Sequence, residues 1–189
     1  MIPFRRESEE VLYPVDDMVA LSSFDLDELK SLASLNARGR IRLCTHRHLE
    51  DKIHEMFIVH TCGCYVKPHK HLGKIESISV VDGTADVVLF HDNGDILDVL
   101  EIGAYSSKKK FFYRLDRPVF HSLIVTSEFF VFHEVTEGPF RRETTLFPEW
   151  APVENTPEHH EFIATLKKTV DAIKTARNRE NGLPPSEMV

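Results

Sequence analysis

Three side chains of the kinds that bind metal ions lie close together in the chain: His69, His71 and Glu76. In an extended strand successive side chains alternate between faces, so His69 and His71 project from the same face and can grip one ion. Glu76 follows after a short turn and can reach that ion from the next strand. Gly63 and Gly83 frame the segment as turn residues. A His-x-His pair alone is weak, because His46-Arg47-His48 repeats the pattern in the same chain. The glutamate and the two glycines distinguish the 63–83 segment. Three ligands leave a fourth to be brought across by a distant strand. Arg117-Pro118 forms a turn before the apolar run Val119 to Val125, which makes His121 the candidate.

Three neutral imidazoles and one carboxylate around a divalent ion leave a net charge of about +1, and their mixed hardness suits Fe(II), Mn(II), Ni(II), Zn(II) or Cu(II) better than Ca(II) or Mg(II). A six-coordinate ion would keep two positions for water, a bidentate substrate or dioxygen. A closed tetrahedral zinc site would be structural instead. Tyr65 shares the strand parity of His69 and His71, which would turn its hydroxyl toward a bound ligand or make it barrel filling. Cys62 and Cys64 flank Gly63, but one Cys-x-Cys falls short of a zinc quartet, and the pair reads as inert reduced thiols.

The elements that must position these residues are short. From Ile41 onward, apolar runs punctuated by turn residues mark strands over 41–44, 54–60, 64–68, 77–81, 85–91, 96–102, 110–115, 119–125 and 129–135. Strands at such intervals with no helices between them predict an antiparallel sandwich or barrel. Asp92-Asn93-Gly94-Asp95 is a hairpin signal of the two-residue type. Before the strands, residues 1–40 comprise an arm without clear period, to about residue 24, and a short amphipathic helix over 25–35. After them, residues 141–189 form an extension. In it, Thr156 and Pro157 start a helix whose apolar stripe is Phe162, Ile163, Leu166, Val170 and Ile173, with Gly182 closing it and a Pro-Pro tail reading as disordered. The barrel between them spans residues 41–140, within one domain overall.

The bulk numbers fit one domain: 189 residues with 42% hydrophobic content build one core and not two comfortable ones. A net charge of −7 without a dominant basic stripe argues against a nucleic-acid partner. Three cysteines in no disulfide-like spacing point to a reducing compartment. The charged first twenty residues break any signal-peptide core, and no apolar run approaches membrane-spanning length, so the expectation is a soluble cytoplasmic protein without a membrane partner.

The spacing of Gly63, His69, His71, Glu76 and Gly83 resembles the first motif of the cupin superfamily. Pro118 to His121 resembles a degenerate second motif that lacks the usual glycine before the histidine. The resemblance implies an all-β core, a double-stranded β-helix or jelly-roll barrel, with one divalent metal held by His69, His71, Glu76 and His121. Because cupin sites line a barrel interior, an open coordination position is the expectation. Leu43 to His46, Met56 to Val59, Pro68 to His71 and Glu134 to Phe140 narrow the resemblance to the WbuC-type cupin-fold metalloproteins found in gene clusters for O-antigen and lipopolysaccharide synthesis. His46 lies in one of those segments and is a candidate to contact substrate or a metal ligand, or else a satisfied structural histidine. The implied function is a metal-dependent protein acting on a small polar molecule such as a sugar or sugar nucleotide, with His46 and Tyr65 as the nameable general bases. The alternatives are an Fe(II)-dependent dioxygenase and a non-catalytic sugar-binding module. Homodimerisation is expected, as small cupins commonly associate and the arm has no obvious partner within the chain.

Overall fold

The computed structural model describes residues 2–180 and Gly182. In chain order the elements are β1 (Phe4–Arg6), β2 (Val11–Pro14), α1 (Ser23–Leu35), β3 (Arg40–Cys44), β4 (Ile53–Thr61), β5 (Lys70–His71), β6 (Glu76–Asp82), β7 (Thr84–Phe90), β8 (Ile96–Gly103), β9 (Phe112–Leu115), β10 (Phe120–Val125), β11 (Phe129–Glu137), β12 (Thr145–Leu146) and α2 (Pro157–Glu180). A seven-stranded sheet runs β1-β2-β3-β4-β11-β6-β9 and faces a three-stranded sheet, β10-β7-β8; β5 and β12 form a two-stranded ribbon. The core is thus the expected all-β jelly-roll barrel, with one helix near each end of the chain.

Period-two alternation sorts the side chains into layers. On β11, Phe130 and Phe132 point into the barrel and pack with Met56, Ile78, Val80, Val87 and Leu123. Val131, between them, points outward to Leu29 and Ala33 of α1. On β10, Leu123 and Val125 face the barrel interior, while Phe120 and Ile124 face Leu166 and Val170 of α2. All six residues of β10 are buried, which explains why its sequence is apolar on both parities. His121 shares the inward parity of Leu123. The layers are α1, the large sheet, the barrel interior, the small sheet and α2. Asp86 points outward from β7 and is clamped by Lys174 of α2 at 3.0 Å, a buried charge satisfied across the helix–sheet seam.

Several expectations are corrected. The arm has a partner within the chain: β2 pairs in parallel with β3, matching Leu12 to Leu43. Alternation in Val11-Leu12-Tyr13 puts Leu12 against α1 and Tyr13 into the barrel core. No strand forms over 64–68; the chain there is irregular, and the strand that follows is the two-residue β5, Lys70–His71, paired with β12. The β7–β8 hairpin is not a two-residue turn. His91 and Asp95 close it through His91 N–H to the Asp95 carbonyl at 2.9 Å, and only Gly94 of the turn has positive φ, +94°. Trp150 stacks over that glycine, where a Cβ would lie 3.0 Å from its ring. Of the two framing glycines, Gly83 is required, since at φ +78° its Cβ would meet the Phe129 carbonyl oxygen at 2.0 Å. Gly63 has open space around it. The tail beyond Gly182 lies outside the described residues. Among those residues no helix is long and apolar enough to cross a membrane.

His60 sits on the inward face of β4, its ring edge-on to Phe132 at 5.4 Å and its Nδ1 sealed without a hydrogen-bond partner among the described residues. Burial, reinforced by the Arg40 charge, drops its pKa to about 3. An unfolded chain takes up a proton at His60 near its ordinary value of about 6.5 whereas the folded chain does not, so stability falls on acidification between those two values. The expected outcome for metal-free protein is that His60→Asn flattens the slope of unfolding free energy against pH, between pH 6 and 4.5, by up to about 1.4 kcal/mol per pH unit. Urea titrations of both proteins across that range check it; parallel slopes refute it.

Candidate metal centre

Two of the predicted ligands are fixed by one local feature. His69 and His121 face each other as an isolated antiparallel pair, His69 N–H donating to the His121 carbonyl at 3.1 Å and His121 N–H to the His69 carbonyl at 2.9 Å. Directly opposed residues project from the same side, and the rings lie with centroids 4.5 Å apart. His71, two residues on, joins them, so that ligand nitrogens of His69, His71 and His121 all fall within 4.8 Å of one another. Glu76 starts β6 after a turn made possible by Gly73 at φ +65°. Its two oxygens reach different histidines, one 3.4 Å from His71 Nε2 and the other 3.4 Å from His121 Nε2. The four residues named from the sequence are therefore brought together inside one end of the barrel.

The hydrogen bonds of the rings test whether this group fits a metal. His69 Nδ1 lies 2.9 Å from the Lys67 carbonyl and His121 Nδ1 3.0 Å from the Val119 carbonyl. A carbonyl accepts only, so each Nδ1 carries a hydrogen, and in the neutral ring each Nε2 keeps a lone pair. His71 Nδ1 instead meets the Thr145 hydroxyl at 3.1 Å. Outer partners of this kind set tautomer and ring orientation in metal sites. Burial, followed by the neighbouring His121 and His71 charges, lowers His69 to about 3, which keeps it neutral as a ligand must be. Burial opposes ionisation of Glu76, but the His71 hydrogen bond and the His121, His69 and His71 charges outweigh it and hold the carboxyl at about 2. Burial favours the neutral His69 ring, which leaves the Glu76 carboxylate a negative charge that a bound divalent ion would match. Three lone-pair nitrogens and a carboxylate form a donor set that fits a divalent transition metal.

His46 and Tyr65, the candidate bases, are not brought into this group. His46 stacks on His54 with ring centroids 4.0 Å apart, and its Nδ1 bonds the Glu55 carbonyl at 3.1 Å. Tyr65 donates to the Pro152 carbonyl at 3.2 Å and packs on His159 at 4.1 Å. It lines a separate polar pocket of about 240 Å³ with Arg38, Thr61 and Glu154. Parity does not carry from Tyr65 to His69 because residues 64–68 are not a strand. Cys62, Cys64 and Cys44 are free thiols, and burial pushes Cys64 up to about 12, so it is inert.

Two inward polar residues escaped the sequence reading. Glu134 continues the inward parity of Phe130 and Phe132, opposite Ile78, and Tyr113 lies on the other side of Ile78. Burial and then the Glu76 charge push Glu134 up to about 8. Burial, then Glu76 and Glu134, raises Tyr113 well above an ordinary tyrosine. A glutamate on the buried parity of β11 was the available signal; Tyr113 had none, since β9 alternates weakly.

One family description matches the sequence, a domain of unknown function (DUF6016), over residues 21–102. The match holds His69, His71 and Glu76 and ends before His121. No curated protein matches the chain significantly. Similar solved structures include an X-ray structure of a Shewanella oneidensis protein, at TM-score 0.48 and 7% identity over 58% of this chain and 74% of that one. Another is the formate complex of oxalate decarboxylase from Lactobacillus farciminis, at TM-score 0.41 and 17% identity over 51% of this chain and 27% of that one. The capsular polysaccharide assembling protein CapF of Staphylococcus aureus is similar at TM-score 0.43 and 19% identity, over 53% of this chain and 27% of that one. The chain thus spans only about a quarter of the length of the latter two. The strand pairing decides the architecture. The fold is an all-β jelly-roll barrel.

Thr145 belongs to the extension rather than the barrel, yet it holds His71. Thr145→Val keeps the shape of the side chain and removes the hydroxyl, and it is expected to weaken metal binding by about 10-fold or more, with Thr145→Ser restoring it. Competition against a chromogenic chelator with Zn(II) measures this; equal affinity in the valine variant would show that the hydroxyl does not matter.

Proposed function

We propose that this chain is a metal-dependent protein that acts on a small polar molecule, such as a sugar or sugar nucleotide, in the manner of WbuC-type proteins of O-antigen and lipopolysaccharide metabolism. The observation carrying this reading is the convergence of His69, His71, His121 and Glu76 inside the barrel with the Nδ1 hydrogens of His69 and His121 turned away. The sugar class is supported by the sequence segments around His46, Met56 and Glu134 that resemble that group.

A divalent ion bound here would supply Lewis acidity toward vicinal oxygens. The chain's own residues do the rest. His69 and His121 are held rigidly by their paired backbones, which fixes the ligand face before anything binds. Glu76 offsets charge. Glu134 replaces His46 and Tyr65 as the group best placed to exchange a proton, because it faces the interior and its raised pKa lies near neutrality.

The test begins with elemental analysis of protein purified without added metal, expected to give one transition-metal ion per chain in wild type and none in His121→Ala. Metal-loaded and chelator-treated protein are then incubated in D₂O with a panel of sugar nucleotides. Metal-dependent deuterium incorporation, read by NMR, is the expected result. Ligand binding with no exchange and no conversion would replace the enzyme reading with a binding module, and oxygen uptake with Fe(II) would replace it with a dioxygenase.

A further inference from the structure

A groove of about 460 Å³ lies away from the metal centre, between α2 and the β7–β8 hairpin. Its floor is apolar, made by Phe90 and Ile96 of the hairpin and by Phe162 and Leu166 of the helix. Its rim is acidic. Asp95, Glu158 and Glu161 line it, and all three are exposed. Asp95 receives only the turn amide of Asn93, at 2.8 Å, and neither Glu158 nor Glu161 has a cationic partner among the described residues. Unpaired acids around an apolar floor select a partner that presents basic charge together with an aromatic or aliphatic surface.

The chain itself carries such a surface. Between β8 and β9 the connection leaves Tyr105 80% exposed and Phe111 47% exposed, and Tyr105 meets Phe111 edge-on at 5.3 Å, so the two rings form one projecting knob. Lys108, held at φ +61°, and Lys110 add two charges with no anionic partner among the described residues, whereas Lys109 is paired with Glu101 at 2.8 Å. On a chain of net charge −7 this knob is a local reversal of sign. Groove and knob sit at opposite ends of the same strand. β8 has eight residues, so at about 3.3 Å per residue the two lie about 25 Å apart and cannot meet within one chain.

We infer that the groove between α2 and the β7–β8 hairpin docks the Tyr105–Phe111 knob of a second copy of this chain, and that the exchange is mutual. Because the two halves lie at the two ends of β8, a two-fold axis across the middle of that strand brings each knob to the other copy's groove and closes the assembly as a dimer. The rings of Tyr105 and Phe111 cover the apolar floor, and Lys108 and Lys110 face Asp95, Glu158 and Glu161. β8 is the last strand of the small sheet, but Arg177 of α2 donates to its Val99 carbonyl at 2.7 Å and pairs with Asp98 at 2.6 Å. The contact therefore runs through the ends of the strand and not through extension of the sheet. The dimer stands independently of the metal reading.

Analytical ultracentrifugation of the full chain at micromolar concentration is expected to show a dimer that weakens as salt is raised. Lys108→Glu combined with Lys110→Glu should weaken it by about 10-fold or more, and Glu158→Lys combined with Glu161→Lys by a similar factor. Each reversed chain keeps one half of the contact intact, so an equimolar mixture of the two pairs opposite charges at both contacts and should dimerise again. Phe111→Ser leaves every charge in place and should weaken the dimer as well. A monomeric wild type overturns the inference, and so does association that grows beyond two chains. A dimer indifferent to both charge reversals overturns it by placing the interface elsewhere, and a mixture that does not recover shows that knob and groove do not meet. Circular dichroism confirms that each variant is folded; should a reversed chain not fold, Phe111→Ser and the salt dependence decide.

Discussion

The two reciprocal backbone hydrogen bonds between His69 and His121 are the clasp on which the site depends. They join the irregular segment leading into β5 to the start of β10, the most deeply buried strand of the small sheet. Because opposed residues in an antiparallel pair share a face, this clasp sets the direction of two ligands at once. Each of those ligands then bonds the carbonyl two residues earlier in the chain, which fixes a hydrogen on its Nδ1. Were the clasp opened, the rings would lose both their common direction and their fixed lone pairs.

Around that clasp the barrel is supported from both sides. α1 covers the outer face of the large sheet through Leu29 and Ala33, and α2 covers the outer face of the small sheet through Leu166 and Val170. β10 is where the support and the site meet: its inward parity carries His121 and Leu123, and its outward parity carries the contacts to α2. Packing errors under α2 therefore act on a strand that also carries a ligand. Dense interiors transmit such shifts because they have few voids to absorb them.

Much of this was legible from residue order. Apolar runs punctuated by turn residues exposed the strands from β3 to β11 except β5, and the His-x-His pair with its glutamate exposed three ligands, because those features are local. His121 could be placed through the turn before an apolar strand. What failed needed information that neighbouring residues do not hold. Tyr65 was assigned by a parity that ends where Pro68 and the turn after Thr61 interrupt the strand. The pairing of β2 with β3 is parallel and crosses α1, so no hairpin signal announces it. Glu134 and Tyr113 become neighbours only once β11, β6 and β9 are laid in register, and Thr145 meets His71 only because the chain returns after the barrel is complete.

That return has a consequence in time. On a chain emerging from the ribosome, His69 and Glu76 appear first and His121 later, but the hydroxyl that orients His71 is delivered only when residue 145 is free to fold back. The Thr145 hydroxyl is therefore the last contact of the site to be delivered along the chain. A shortened chain ending where the barrel appears to end would inherit the walls of the site without its last fastening.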